Sequence, residues 1–130
     1  MTTVRITDLD GVSLAFDLRE LLDVLGDNGV KATWRCQVSD FVPASGARHL
    51  PTAYEAATNI VGAILYQIAA QTLQIIDGRF VAMREGEAEP WVILTAVDST
   101  WWEVTTNDPA VLKAIAGRFR AVVDVTRGTA

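Results

Sequence analysis

The residue types of a nucleophilic site are scarce in this chain. Cys36 is the only cysteine and His49 the only histidine, and Asp40 lies between them in the sequence. A thiol, an imidazole and an orienting carboxylate are the groups that nucleophilic catalysis combines. Apolar and polar residues alternate over 30–38, however, which places Cys36 beside Trp34 on the apolar side of a strand. We therefore expect Cys36 to be a small buried hydrophobic residue, because a reactive thiol needs exposure and a positively charged neighbourhood.

Carboxylates offer a second chemistry, general acid–base catalysis. Glu103 follows Trp102 in a run of apolar and hydroxyl side chains, and apolar surroundings raise the pKa of a carboxyl group. The alternative, which we favour, is a glutamate exposed at the rim of a sheet. The acidic loop EGEAE, residues 85–89, lacks the spacing of a calcium-binding loop. We interpret it as a solvated turn suited to docking a basic partner.

The sequence motifs of nucleotide and metal chemistry are missing. No glycine-rich phosphate loop, dinucleotide fingerprint, G-x-S-x-G elbow or H-E-x-x-H helix occurs in the sequence. One histidine and one cysteine do not supply the ligands of a zinc site within a single chain. We therefore predict neither a metal nor another cofactor.

The composition indicates one globular domain over 1–130, since half of the residues are hydrophobic and the length suits a single core. The net charge of -5 disfavours nucleic acids and anionic membranes as partners, because both are bound through Lys and Arg contacts to phosphate. A protein partner, and among proteins a basic one, fits this charge better. A single cysteine and the absence of a secretory leader pattern predict a cytoplasmic protein.

The uncharged stretch 56–76 is nearly long enough to cross a bilayer. Its Thr, Asn and Gln residues and its lack of flanking Lys or Arg argue against a membrane span. Thr52 and Glu55 have the spacing of a capping box. We therefore predict one long helix from Thr52 to Leu73, packed against protein on more than one side.

The other elements predict an α+β fold: a mainly antiparallel sheet of about seven strands, packed on this long central helix, with two short flanking helices. Asp17 and Asp108 are the predicted N-caps of the short helices. Predicted strands lie at 3–7, 12–16, 30–38, 73–76, 79–83, 91–97, 100–106 and 121–125. Predicted hairpin turns lie at Asp10–Gly11, Asp77–Gly78 and Asp98–Ser99.

Two adjacent tryptophans, Trp101 and Trp102, must point to opposite faces of the sheet. A two-residue turn at Asp98–Ser99 would pair Ala96 with Trp101 and Thr95 with Trp102. Each face of this hairpin would then be apolar near its centre. We expect Trp102 to face the main core and Trp101 to face a second layer. The sequence leaves open whether the same chain or a partner supplies that layer.

Two further stretches are candidate binding edges. The irregular segment 39–51 carries Phe41, Arg48 and His49, and loops on rigid scaffolds often carry function. The polar side of the strand at 30–38 is basic in an acidic protein. It consists of Lys31, Thr33, Arg35 and Gln37, extended by Arg5.

These patterns predict a non-enzymatic interaction or regulatory protein that forms a homodimer or binds another protein. The predicted interface residues are Trp101, Glu103, Phe41, Arg48 and His49. An inhibitor or immunity-type binder of a basic protein is one concrete version of this function.

Two alternative functions stay open. One is a small-molecule binding module with a pocket between the long helix and the sheet, at Trp34, Tyr66 and Trp102. The other is a small enzyme in which a carboxylate such as Asp40 or Glu103 acts with His49, since acid–base sites need no sequence motif.

Overall fold

A seven-stranded antiparallel sheet is the centre of the structure, a computed structural model that describes residues 1–44 and 59–126. Three helices and a small separate hairpin complete the described part of the chain. In chain order the elements are β1 (Thr2–Ile6), β2 (Leu9–Asp10), β3 (Ser13–Leu14), α1 (Leu18–Lys31), β4 (Thr33–Pro43), β5 (Asn59–Val61), α2 (Gly62–Ala70), β6 (Thr72–Met83), β7 (Val92–Val97), β8 (Trp101–Thr106), α3 (Pro109–Arg118) and β9 (Val122–Asp124).

The strand order of the large sheet is β5-β4-β6-β7-β8-β1-β9, and each of its neighbouring pairs is antiparallel. The prediction of an α+β fold with about seven mainly antiparallel strands is confirmed. The predicted hairpin between 3–7 and 12–16 is wrong, because β1 pairs with β8 and β9. Only a short hairpin of β2 and β3 remains around Gly11, whose φ of +68° suits the turn.

Helix α1 starts as its sequence predicts, because Asp17 is the N-cap and its backbone N–H donates to Glu20 Oε2 at 3.0 Å. Gly26 interrupts the helix with φ +60° and ψ -142°, but helical structure then resumes as far as Lys31. The strand predicted from Val30 therefore begins only at Thr33.

The long central helix predicted for Thr52 to Leu73 is wrong within the described residues. Helix α2 has nine residues, Asn59–Val61 form strand β5, and Thr72 already begins β6. Backbone pairing explains the difference, since β5 uses the exposed edge of β4 and pairs Ile60 with Trp34. The predicted start of the helix, with its capping box, lies outside the described residues. No helix in 1–44 or 59–126 has the length and apolarity needed to cross a membrane.

Strand β6 runs unbroken through the Asp77–Gly78 pair, so the hairpin turn predicted there is wrong. Strand β4 pairs with β6 from Thr33 to Pro43, and the ladder shifts its register near Asp77. The Asp-Gly pair thus lies at an irregularity in the long β4–β6 ladder. An Asp-Gly pair in the sequence looks the same at such an irregularity as in a hairpin turn.

The hydrophobic core lies between the three helices and one face of the sheet. Alternate strand residues such as Cys36, Phe80, Leu94 and Val104 join the leucines of α1 and the apolar residues of α2 and α3 in one cluster. Trp102 is fully buried in this cluster, which confirms the prediction that it faces the main core.

Candidate interaction surface

The hairpin of β7 and β8 decides where each tryptophan points. Its register pairs Val97 with Trp101 and Ala96 with Trp102, one residue away from the predicted register. Asp98 and Ser99 both have positive φ, and the backbone N–H of Thr100 donates to the carbonyl of Val97 at 2.9 Å. Thr100 is thus an extra residue in the connection, without a cross-strand counterpart in the ladder. Trp102 consequently shares the core face with Ala96, and Trp101 shares the opposite face with Val97.

That opposite side of the sheet, here called the open face, carries no described helix. The core cluster contains residues of all three helices but none of the open-face side chains. The open face includes Thr3, Arg5, Thr33, Arg35, Gln37, Asn59, Val61, Arg79, Val81, Met83, Ile93, Thr95, Val97, Trp101, Glu103, Thr105 and Val123. Its apolar members lie mainly on the three central strands β6, β7 and β8, where Val81, Ile93, Val97 and Trp101 are half-buried by their neighbours.

Trp101 is held in place by two charged neighbours. Its indole N–H donates to Glu103 Oε2 at 3.0 Å, and Arg5 Nη2 lies 3.2 Å from the same oxygen. The guanidinium of Arg5 also lies 4.2 Å from the centre of the Trp101 ring, a cation–π contact that typically contributes about 0.5–1 kcal/mol at an exposed site. The indole is therefore fixed before any partner binds, and ordering it on binding costs little entropy.

Three of the charges of the open face, Arg79, Glu103 and Arg5, lie along one row across the sheet. Cross-strand pairing runs from Gln37 to Arg79, Thr95, Glu103 and Arg5 in that order. Arg35 lies in the neighbouring row, so it shares the face with Arg5 as the sequence predicts. Three arginines against one glutamate make this face net positive, although the chain as a whole is acidic.

Phe41, a third predicted interface residue, is not placed beside Trp101. Phe41 is half-buried and packs against the core cluster on the helix side of the sheet. Arg48 and His49 lie outside the described residues.

The residues of the predicted ligand pocket fill the core. Trp34 and Trp102 have no exposed surface, and the Trp34 indole donates to the carbonyl of Gly29 at 2.9 Å. The hydroxyl of Tyr66 lies 2.6 Å from the carbonyl oxygen of Leu22 and thereby ties α2 to α1. Burial also raises the pKa of Tyr66 to about 12.

The prediction that Cys36 is a buried hydrophobic residue is confirmed, and the environment of its thiol does not suit a nucleophile. Cys36 is completely buried, and the resulting loss of hydration raises the pKa of its thiol to about 12. A thiol with this pKa is protonated at neutral pH and is a poor nucleophile. Within the described ranges no cluster of three or more His, Cys, Asp or Glu side chains is placed to hold a metal ion.

Asp17 is a candidate that sequence reasoning missed beyond its role as a helix cap. Its Oδ2 accepts a hydrogen bond from the backbone N–H of Ile75 at 2.7 Å, while its Oδ1 is buried without a partner in the described structure. Burial raises its pKa from 3.8 to about 7, and hydrogen bonds from Ile75, Leu18 and Trp102 oppose the rise. A cavity of about 300 Å³ adjoins the carboxyl group and is also lined by Arg19, Glu20, Thr72 and Gln74.

Side-chain contacts hold the acidic loop, which the sequence predicts to dock a basic partner, against the rest of the fold. Glu87 binds Arg84 at 2.8 Å, and the guanidinium of Arg84 lies 5.2 Å from the Trp91 ring. The Trp91 indole in turn donates to Asp108 at 2.9 Å. This hydrogen bond is the main reason why the pKa of Asp108 is lowered. Glu85 and Glu89 stay exposed in the loop.

Two features of the described structure thus have the geometry of a functional site. The open face combines a fixed indole with charged neighbours, and the cavity at Asp17 adjoins a carboxyl group whose pKa is raised by burial to about 7. Compared with protein-family models, with curated proteins and with solved structures, the chain matches none.

Proposed function

We propose that this chain is a non-enzymatic interaction protein that forms a homodimer through the open face. One observation carries the proposal: Trp101 lies on a sheet face that no described helix covers, held by Arg5 and Glu103. Tryptophan and arginine are among the side chains most enriched in residues that dominate binding energy at protein interfaces.

The apolar residues of the open face support a role in binding. In an antiparallel sheet with one solvent-exposed face, apolar residues that face the core normally alternate with polar residues that face solvent. On the open face, Val81, Ile93 and Val97 are apolar and lie beside Trp101 on the central strands. Such a surface is stabilised when a second layer covers it.

The charges of this face favour a second copy over a basic protein. Arg5, Arg35 and Arg79 would repel a basic partner, whereas the face itself offers both arginine and glutamate. Carboxylate chemistry, the enzymatic alternative, would find its best group in Asp17. Neither Asp40 nor Glu103 lines the cavity beside that residue.

The proposal is tested by measuring molar mass with light scattering for the wild type and for Trp101→Glu. We expect a dimer for the wild type and a folded monomer for the variant, because dimerisation of the variant would bury an unpaired carboxylate in place of the Trp101 indole. Val12→Glu is the matched control, since Val12 is fully exposed in the β2–β3 turn and lies outside the open face. It should remain a dimer.

A second variant covers the case in which Trp101→Glu fails to fold. Thr95 lies at the centre of the open face and points away from the core, so Thr95→Lys should leave the monomer intact and abolish the dimer. A monomeric wild type would overturn the proposal. A dimer that survives both open-face substitutions would show that the open face is not the interface, and would overturn it as well.

A further inference from the structure

We propose that the homodimer has its two-fold axis parallel to β7, so that Arg79 of each copy binds Glu103 of the partner subunit. The inference rests on the proposed homodimer and adds its geometry and specificity. It is argued from the cross-strand register and from the signs of the charges on the open face.

Arg79 and Glu103 flank the middle strand symmetrically. Arg79 on β6 and Glu103 on β8 both pair with Thr95 on β7, so the two charges lie one strand to either side of it in one row. Neighbouring strands are about 4.8 Å apart, which places the two backbones about 10 Å apart across the row. Arg79 is exposed and forms no ion pair with any residue in 1–44 or 59–126.

Symmetry then limits how two such faces can meet. Face-to-face packing requires an axis that lies between the two sheets. An axis parallel to β7 exchanges the two sides, so that β8 of one copy lies over β6 of the other. Glu103 then faces Arg79 of the partner subunit, and the contact occurs twice. An axis perpendicular to the strands and directly above this row would instead stack Arg79 on Arg79 and Glu103 on Glu103.

The other arginines of the open face agree with the axis parallel to β7. The same operation places Arg5 over Gln37 of the partner subunit, and Arg35 over Thr3 of the partner subunit. Ile93, one row from Thr95 on the middle strand, meets its own counterpart. No two like charges of the open face are superposed. Aligned sheets in known folds pack about 10 Å apart, with their strand directions rotated by roughly 30°. Near the axis this rotation displaces facing residues little, so a long arginine side chain reaches its partner.

Contacts within its own chain hold Glu103 in position to bind Arg79 of the partner subunit. Arg5 and the Trp101 indole both bind its Oε2, so the carboxylate is held on the open face. Carboxylates accept several charge-assisted hydrogen bonds, and the guanidinium of Arg79 presents donors on two sides.

The test uses opposite charge reversals in two samples. Arg79→Glu alone would place a carboxylate against Glu103 at both contacts, and Glu103→Arg alone would place two guanidinium groups together at both. We expect each variant to dimerise at least about 100-fold more weakly than the wild type, since like-charge contacts in an interface cost several kcal/mol. When mixed, the two variants should form a heterodimer. One of its contacts joins the two wild-type side chains, Arg79 and Glu103, and the other joins the two reversed ones.

The sign of each contact in the mixed dimer follows from the two-fold axis. The Arg79→Glu copy carries carboxylates at both positions, and the Glu103→Arg copy carries guanidinium groups at both. Each contact therefore joins a carboxylate of one copy to a guanidinium of the other, so both contacts are again between opposite charges.

Arg35→Glu is the matched control for charge. It makes the same change on the same face, but its expected neighbour is Thr3 of the partner subunit. The variant should dimerise within a few-fold of the wild type, and mixing it with Glu103→Arg should produce less heterodimer than mixing Arg79→Glu with Glu103→Arg.

The outcomes separate this inference from the homodimer itself. If Arg79→Glu and Glu103→Arg stay dimeric while Thr95→Lys is a monomer, the open face is the interface but the axis is wrong. If both reversals are monomers and their mixture remains monomeric, the pairing is also overturned. A monomeric wild type overturns the homodimer and the axis together.

Glu103→Arg also removes the ion pair with Arg5 and could therefore fail to fold. A second measurement avoids this charge reversal. Dissociation constants of Arg79→Gln, Glu103→Gln and the double variant form a mutant cycle. A non-additive cycle supports direct contact between the two side chains, and an additive cycle contradicts it.

Discussion

Individual residues take their chemistry from their surroundings more than from their type. Asp17 and Asp108 are both N-caps, yet their carboxyl groups respond to the fold in opposite directions. Burial raises the pKa of Asp17 to about 7, whereas the indole N–H of Trp91 holds the pKa of Asp108 below its usual value. The same local signal in sequence thus produces two different acids.

These shifts predict how the stability of the protein depends on pH. The folded protein holds the Asp17 proton more tightly than the unfolded chain, whose pKa is near 3.8. The contribution of Asp17 to stability is therefore fully present below about pH 4, and it is lost as the pH rises to about 7. Melting temperatures of wild type and Asp17→Asn, measured from pH 4 to 8, should show the wild type losing its advantage over this interval.

Asp108→Asn is the contrasting variant because its shift has the opposite sign. Asp108 stabilises the folded protein above the unfolded pKa, and this contribution is lost as the pH falls through the lower folded pKa. The advantage of wild type over Asp108→Asn should therefore shrink in acid. Parallel melting curves for wild type and Asp17→Asn between pH 4 and 7 would contradict the assignment for Asp17.

At the level of elements, α1 and α2 meet backbone against backbone. A methyl group added at Gly62 would collide with the carbonyl oxygens of Gly29 and Val30, and the N–H of Gly62 donates to the carbonyl of Ala32 at 2.8 Å. Tyr66 closes the same contact from the next turn of α2. The short α2 is thus positioned by close approach to α1 as well as by its apolar side chains.

This contact predicts that Gly62→Ala destabilises the protein. The added methyl group cannot fit without moving one helix, and overpacking of this kind costs about 1–3 kcal/mol. Urea unfolding of wild type and variant measures the difference. Gly117→Ala is the control, since nothing lies within 4 Å of its added methyl group. In helix α3 it should be neutral or stabilising by up to about 1 kcal/mol. Equal stability of Gly62→Ala and wild type would contradict the close packing.

The whole molecule has two layers, with helices on one face of the sheet and none of the described helices on the other. The four tryptophans are divided unequally between the two faces. Trp34, Trp91 and Trp102 are buried in the core, and only Trp101 lies on the open face. Covering the open face in a dimer would therefore change the environment of one indole out of four.

Acrylamide quenching of tryptophan fluorescence should accordingly depend on protein concentration. We expect one quenchable indole at concentrations below the dissociation constant of the dimer and stronger protection above it. Trp101→Phe should show no such dependence, because its remaining indoles are buried in monomer and dimer alike. Quenching of the wild type that is the same at all concentrations would speak against a dimer through the open face.

Local patterns in the sequence determined the features that depend on neighbouring residues. The alternation over 30–38 identified Trp34 and Cys36 as buried, and the Asp-Pro pair at 108–109 identified the start of α3. The adjacency of Trp101 and Trp102 required two opposite faces, since successive strand residues alternate. The order of predicted strands and helices indicated an α+β fold, and the composition showed few groups for catalysis.

Only the tertiary structure decided the features that depend on distant residues. One extra residue in the turn, Thr100, set which residues of β7 share a face with each tryptophan, and pairing with β4 turned a predicted hairpin into the long strand β6. Burial in the folded chain raises the pKa of Asp17, and a hydrogen bond from the backbone N–H of Ile75, which is far from it in sequence, opposes the rise. The row of Arg79, Thr95 and Glu103 exists only because three strands align. Register and burial arise from long-range packing, and no local pattern of residue types encodes them.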